Sequence, residues 1–160
     1  MKDDIWEPSS KCNFYLVDAT PSAITNWALQ ISNRNPSTEI SFVRGDKMKT
    51  TQGLFDEFSA AMQFPYYFGE NWDAFRDCLL DLEWLPGEAH GVIVTNSHSL
   101  LEESSKDLGI LFDDLEEAGS EFKQQGKRFV TLFQYEGEKK TEVYKTLESV
   151  GLFFQEIEIK

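Results

Sequence analysis

Residues 66–82 read Tyr66-Tyr67-Phe68-Gly69-Glu70-Asn71-Trp72-Asp73-Ala74-Phe75-Arg76-Asp77-Cys78-Leu79-Leu80-Asp81-Leu82. Wound at helical periodicity, Phe75, Cys78, Leu79 and Leu82 gather on one side, which predicts an amphipathic helix from about Asn71 to Leu82 with that side in a core. Asn71 is of the residue type that caps a helix N-terminus. Asp73, Asp77 and Asp81 fall at i, i+4 and i+8 on a different side, one above the other, where like charges repel by a few tenths of a kcal/mol each (about 0.2–0.5). The helix dipole favours Asp73 near the N-terminus and opposes Asp81 near the other end. A stripe that weakens its own helix points to selection for something besides helix stability. It is either a solvated face or a charge comb for a cationic pocket. The neighbouring Tyr66, Tyr67 and Phe68 with flexible Gly69 favour the comb, because aromatic anchors beside desolvatable carboxylates build tight protein interfaces. Metal chelation by the three aspartates is a weaker option, since a regular helix rarely supplies enough converging oxygens.

Outward from this segment, short β-like runs alternate with longer amphipathic ones, the pattern of an α/β domain. Upstream, Phe14 to Val17 reads as a strand, followed by Thr20 as N-cap and Pro21 as the first residue of a helix that carries Ile24, Trp27, Ala28 and Ile31 on one face. Ile40 to Val43 is a second strand turning at Gly45-Asp46. The next helix presents Leu54, Phe55, Phe58 and Met62 and is ended by Pro65. Downstream, Pro86-Gly87 breaks the chain, and Gly91 to Thr95 is a buried strand. A short helix near Ser99, a long one from about Asp107 to Gln125 stopped by Gly126, and a strand from Phe129 to Phe133 follow. Thr141 to Val150 reads as a helix and Leu152 to Ile159 as a final strand.

The chain of 160 residues, 41% hydrophobic and 14% aromatic, has the composition of a folded globular protein. No apolar run approaches the ~20 residues of a membrane span, and Met1-Lys2-Asp3-Asp4 is too acidic for a secretory leader. Cys12 and Cys78 are too few for a disulfide framework, so the reading is free thiols in a reducing cytoplasm. The net charge of -13 is uneven: residues 54–125 hold 16 Asp/Glu against 3 Lys/Arg, while the flanks hold 12 of each. Such a field repels nucleic acid and anionic membrane and attracts a basic partner, though acidity also serves plain solubility.

Enzyme chemistry finds no foothold. Gly119 and Gly126-Lys127-Arg128 lack the spacing and hydroxyl of a phosphate-cradling loop. His90 and His98 stand without metal-ligand partners and read as ordinary surface or loop residues. Cys78 falls on the apolar side of its helix and reads as packing. Carboxylates abound, but none is singled out as an acid or a base. No cofactor and no metal are expected.

The stretch Tyr67-Phe68-Gly69-Glu70-Asn71-Trp72-Asp73-Ala74-Phe75, continuing through Asp77-Cys78-Leu79, resembles the central motif of the barstar family, intracellular inhibitors of ribonucleases of the barnase type. The likeness runs without gaps over about Phe42 to Pro86 and includes Gly45, Leu54, Pro65 and Pro86. Beyond Pro86 it weakens, with Gly87 to Gly91 reading as an inserted loop. The resemblance implies an α/β fold of three layers, with a small, mainly parallel sheet flanked by helices. A barstar-like domain over 39–134 would then carry an N-terminal strand-helix extension over 1–38 and a C-terminal helix-strand extension over 135–160. Charge balance in the extensions leaves two readings, sheet scaffolding or a second interface.

In the family, carboxylates of this helix enter the enzyme's active site and take the places of phosphates. Carried over by position, the matching residues are Tyr67, Gly69, Asn71, Asp73 and Asp77, with Glu121 on the following long helix. Three positions depart from the prototype: Trp72 replaces a smaller aliphatic residue, Arg76 replaces a tryptophan, and Trp84 stands near an expected aromatic. Arg76 would either neutralise the comb or reach an acidic group on a different partner. With these and Asp81, the candidate partner-binding set is Tyr67, Gly69, Asn71, Trp72, Asp73, Arg76, Asp77, Asp81, Trp84 and Glu121. The expected activity is inhibition of a small basic ribonuclease, as an immunity protein, by masking its active site. The alternatives are a barstar-like module for a basic partner that is not a nuclease, and an enzyme using its carboxylates as acid and base.

Overall fold

The apolar runs around Phe14, Ile40, Val92 and Phe129 form strands in the computed structural model, which describes residues 4–159. The reading of Met1-Lys2-Asp3-Asp4 as no leader falls, for its first three residues, outside that span. The strands are β1 (Phe14–Asp18), β2 (Thr38–Arg44), β3 (Ala89–Thr95), β4 (Arg128–Tyr135) and β5 (Gln155–Ile157). The helices are α1 (Pro21–Arg34), α2 (Thr51–Ala61), α3 (Trp72–Asp81), α4 (Leu108–Gln124) and α5 (Lys140–Ser149). The strands form one sheet in the order β2-β3-β4-β1-β5, and every pairing is parallel. A parallel sheet needs both faces covered, and side chains alternate accordingly. Phe14, Leu16, Val92, Val94, Phe129 and Phe133 pack on one side with α2 to α5. Tyr15, Val17, Ile93, Val130 and Leu132 pack on the other with α1, Ile5 and Trp6. The result is the three-layer α/β arrangement.

Local chemistry sets the helix starts. Thr20 accepts from the Ala23 N–H at 3.1 Å with Pro21 in the first turn, and Ile24, Trp27, Ala28 and Ile31 are the buried face of α1. Four expectations need correction. The region Gly87 to Gly91 is not an inserted loop: Ala89, His90 and Gly91 are paired in β3 with β2 on one side and β4 on the other. Gly91 is there because a Cβ would lie 2.6 Å from the Trp6 indole, which packs over the strand. His90 is therefore a buried strand residue, edge-on to Phe122 at 5.5 Å, and burial pushes its imidazole down to about 4, with Lys127 adding to the effect. The helix after β2 stops at Ala61, four residues before Pro65, where Gln63 turns left-handed at φ 54°. The last strand spans only Gln155–Ile157, because Leu152 and Phe154 turn onto the core instead of continuing a ladder.

The N-terminal segment is tied to the sheet by a cation. Arg128, 1% exposed, donates from Nε to the Ile5 carbonyl at 2.7 Å, from Nη1 to Asn13 Oδ1 at 2.6 Å, and from Nη2 to the Cys12 carbonyl. Carbonyl oxygens thus replace the water that burial removes. Cys12 and Cys78 are free and buried, and burial pushes both thiols up, away from nucleophilic reactivity. Among the described residues no helix is long and apolar enough to cross a membrane.

Candidate partner-binding surface

The loop between α2 and α3 is built around aromatic rings. Phe68 turns inward and meets Phe64 at 5.1 Å and Phe55 at 5.8 Å. That inward anchor leaves Tyr66 and Tyr67 outside: Tyr66 is fully exposed and Tyr67 67% exposed, their rings edge to face at 5.7 Å. Asn71 closes the loop onto the helix. Its Oδ1 accepts from the Ala74 N–H at 2.8 Å and its Nδ2 donates to the Gly69 carbonyl at 3.2 Å. Glu70, left-handed at φ 50°, accepts from Gln52 Nε2 at 2.9 Å, so the loop is also pinned to α2.

On α3, Phe75, Cys78 and Leu79 are buried as the spacing requires. Asp73, Asp77 and Asp81 are exposed. Among the described residues no lysine or arginine lies within ion-pair distance of any of the three. Asp73 sits in the first turn, where the dipole favours it. Asp81, at the unfavourable end, accepts from the Glu83 N–H at 3.3 Å and so has a local hydrogen bond.

The other candidates take different places. Trp72 is half-buried against Phe55 at 5.1 Å and Phe75 at 5.4 Å, part of the packing beneath the surface. Trp84 donates from Nε1 to the Met62 carbonyl at 2.9 Å and bridges the ends of α2 and α3. Arg76 makes no ion pair with the aspartate stripe, although Asp77 is close enough to favour its charge; its guanidinium turns to α4 and pairs with Glu117. Glu121 is half-buried one turn further along α4 and accepts from Gln125 Nε2 at 3.2 Å. Within the chain, the α4 glutamate that pairs with α3 is Glu117.

Asp114 is the second residue that periodicity did not single out. Only 7% exposed, with Oδ2 lacking any partner, it lies at the α3–α4 seam. Burial raises its carboxyl to about 6; Arg76 opposes the rise, while Glu117, Asp113 and Asp73 add to it. Among the described residues no cluster of three or more His, Cys, Asp or Glu side chains could hold a metal ion. The surface thus offers three exposed aspartates with no ion pair to any described lysine or arginine, beside two exposed phenols.

Residues 39–134 match the family described as Barstar (barnase inhibitor). No curated protein is matched by the chain. Among solved structures, the Aeropyrum pernix ORC2 protein in its ADP form is 12% identical with a TM-score of 0.59, over 92% of this chain and 42% of that one. Drosophila ORC bound to AT-rich DNA and Cdc6 is 14% identical with a TM-score of 0.51, over 92% and 48%. The chain thus spans less than half the length of these structures, and the likeness is one of fold alone. The turn from β1 into α1 is Ala19-Thr20, with neither the glycines nor the lysine of a phosphate cradle.

Proposed function

The chain belongs to the barstar family, and from that premise we propose that it inhibits a small basic ribonuclease, as an immunity protein does, by occupying the enzyme's active site. The carrying observation is the exposed stripe Asp73, Asp77 and Asp81, unpaired by described cations, beside the exposed Tyr66 and Tyr67. In this reading Asp77 and Asp73 stand in for RNA phosphates among the enzyme's cationic side chains, with charge-assisted hydrogen bonds replacing those to phosphate oxygens. Tyr67 packs on the rim of the cleft. The capped, aromatic-packed base of α3 keeps this surface preorganised, which limits the ordering cost of binding. The chain performs no reaction of its own; RNA is excluded because its place is taken.

The test is titration of a panel of small basic ribonucleases with the purified chain, reading RNA cleavage. Stoichiometric loss of cleavage for at least one enzyme is expected. RNA turnover by the chain alone would overturn the reading in favour of catalysis. Arg76 favours a second reading, a barstar-like module for a basic partner that is not a nuclease, because it sets a cation on the edge of the acidic helix where the family prototype has tryptophan. Capture of a basic non-nuclease protein from a host lysate, with no ribonuclease of the panel inhibited, would favour that reading.

A further inference from the structure

The C-terminal segment closes a cleft of about 320 Å³ against the flank of α4. Phe112 of α4 lies buried along it, Val150 and Leu152 are half-buried walls, and Phe153 stands at the rim 66% exposed. Asp113 and Glu116 line the α4 side and are exposed; Glu116 accepts only a long bond, 3.4 Å, from Asn13 Nδ2. Of the residues that line the cleft, the charged ones are Asp113 and Glu116. The cleft is thus of mixed character, with apolar walls from Phe112, Leu152 and Phe153 and an acidic border, in about equal measure.

That chemistry selects its occupant. A second copy of this chain would bring its own surplus of negative charge to an acidic rim, and nucleic acid or an anionic lipid surface would be repelled in the same way. An exposed aromatic bordered by exposed carboxylates complements an apolar side chain flanked by cations. We propose that this cleft is a second docking site, which takes a basic segment of a protein partner presenting one apolar side chain between lysines or arginines. The apolar group lies against Phe153, Leu152 and Phe112, and the cations meet Asp113 and Glu116. Half of the cleft comes from residues outside the 39–134 match, so the site does not depend on ribonuclease inhibition.

The probe is a capped heptapeptide with three lysines on each side of one tryptophan, titrated into the full chain and followed by backbone amide shifts. Shifts centred on Gly109, Asp113, Glu116, Gly151 and Phe153 are expected. Phe153→Ala removes a mostly exposed ring, leaves the core intact, and weakens the peptide by about tenfold. Asp113→Asn with Glu116→Gln weakens it by several fold and flattens its salt dependence. Shifts confined to Asp73–Asp81, undiminished affinity in Phe153→Ala, or no binding of the peptide would overturn the proposal. So would concentration-dependent self-association that Phe153→Ala abolishes, which would assign the cleft to a second copy. Ribonuclease titration of Phe153→Ala separates the two sites: unchanged inhibition with lost peptide binding is the expected pairing.

Discussion

The Asp77 side chain is exposed on a helix whose packing it does not serve, so alanine there costs the free protein little and removes a charge from the proposed interface. Asp77→Ala is expected to weaken binding of an inhibited ribonuclease by at least about thirtyfold, the scale of a central charged contact. Asp113→Ala, on the α5 side of α4, should change it by less than about twofold. Surface plasmon resonance on the two variants decides, and equal losses would remove the comb mechanism. Asp114 acts on stability instead. Its carboxyl, at about 6 in the fold against ~3.9 in an unfolded chain, is protonated in both states at low pH and carries no cost there. As pH rises from about 4 to 6 the unfolded chain releases this proton while the folded chain holds it, so stability falls; above about 7 the full penalty, about 3 kcal/mol, is present. Asp114→Asn should therefore stabilise the protein by up to about 3 kcal/mol at pH 7.5 and hardly at all at pH 4, read from urea unfolding. Equal effects at both pH values would show that Asp114 is not the titrating group.

At the scale of elements, what could be read in advance was what is local. Thr20 and Asn71 announce α1 and α3 because a cap satisfies N–H groups only three residues away, and the apolar spacing of Phe75, Cys78 and Leu79 names the buried face of α3. The start of β3 is two residues earlier than Gly91 because Ala89-His90 has no strand pattern of its own; it is strand because β2 and β4 flank it. The same limit applies to the site. The aspartate stripe lies within one helix and was visible, whereas the Arg76–Glu117 pair and the buried Asp114 arise from the way α3 packs on α4. Gly45 shows how tightly elements meet: a Cβ there would lie 2.3 Å from the Asn96 carbonyl oxygen and 2.5 Å from that of Thr95. Backbone cannot yield as a side-chain tip does, so Gly45→Ala should cost about 2 kcal/mol. The urea midpoint should fall with the slope unchanged, and an unaltered midpoint would mean that the chain after β2 makes room for a methyl group.

Across the whole molecule, strand order was the least readable feature, since β1 lies between β4 and β5, partners more than a hundred residues away, and nothing near Phe14 encodes that choice. Nor does anything near Arg128 in the sequence mark it for burial; it is buried because the Ile5 and Cys12 carbonyls and the Asn13 side chain converge on it. Charge distribution, by contrast, survives folding: both α3 and α4 come from residues 54–125, which hold 16 acidic and 3 basic side chains. A field of that sign accelerates the encounter with a basic enzyme only over distances that counter-ions leave unscreened, about 30 Å at 0.01 M salt and about 3 Å at 1 M. The association rate with an inhibited ribonuclease should accordingly fall by at least about tenfold across that range, while dissociation, governed by short-range contacts around Asp77 and Tyr67, changes far less. Stopped-flow mixing at four or five salt concentrations measures both rates, and an association rate indifferent to salt would mean that the acidic middle of the chain serves solubility and steers nothing.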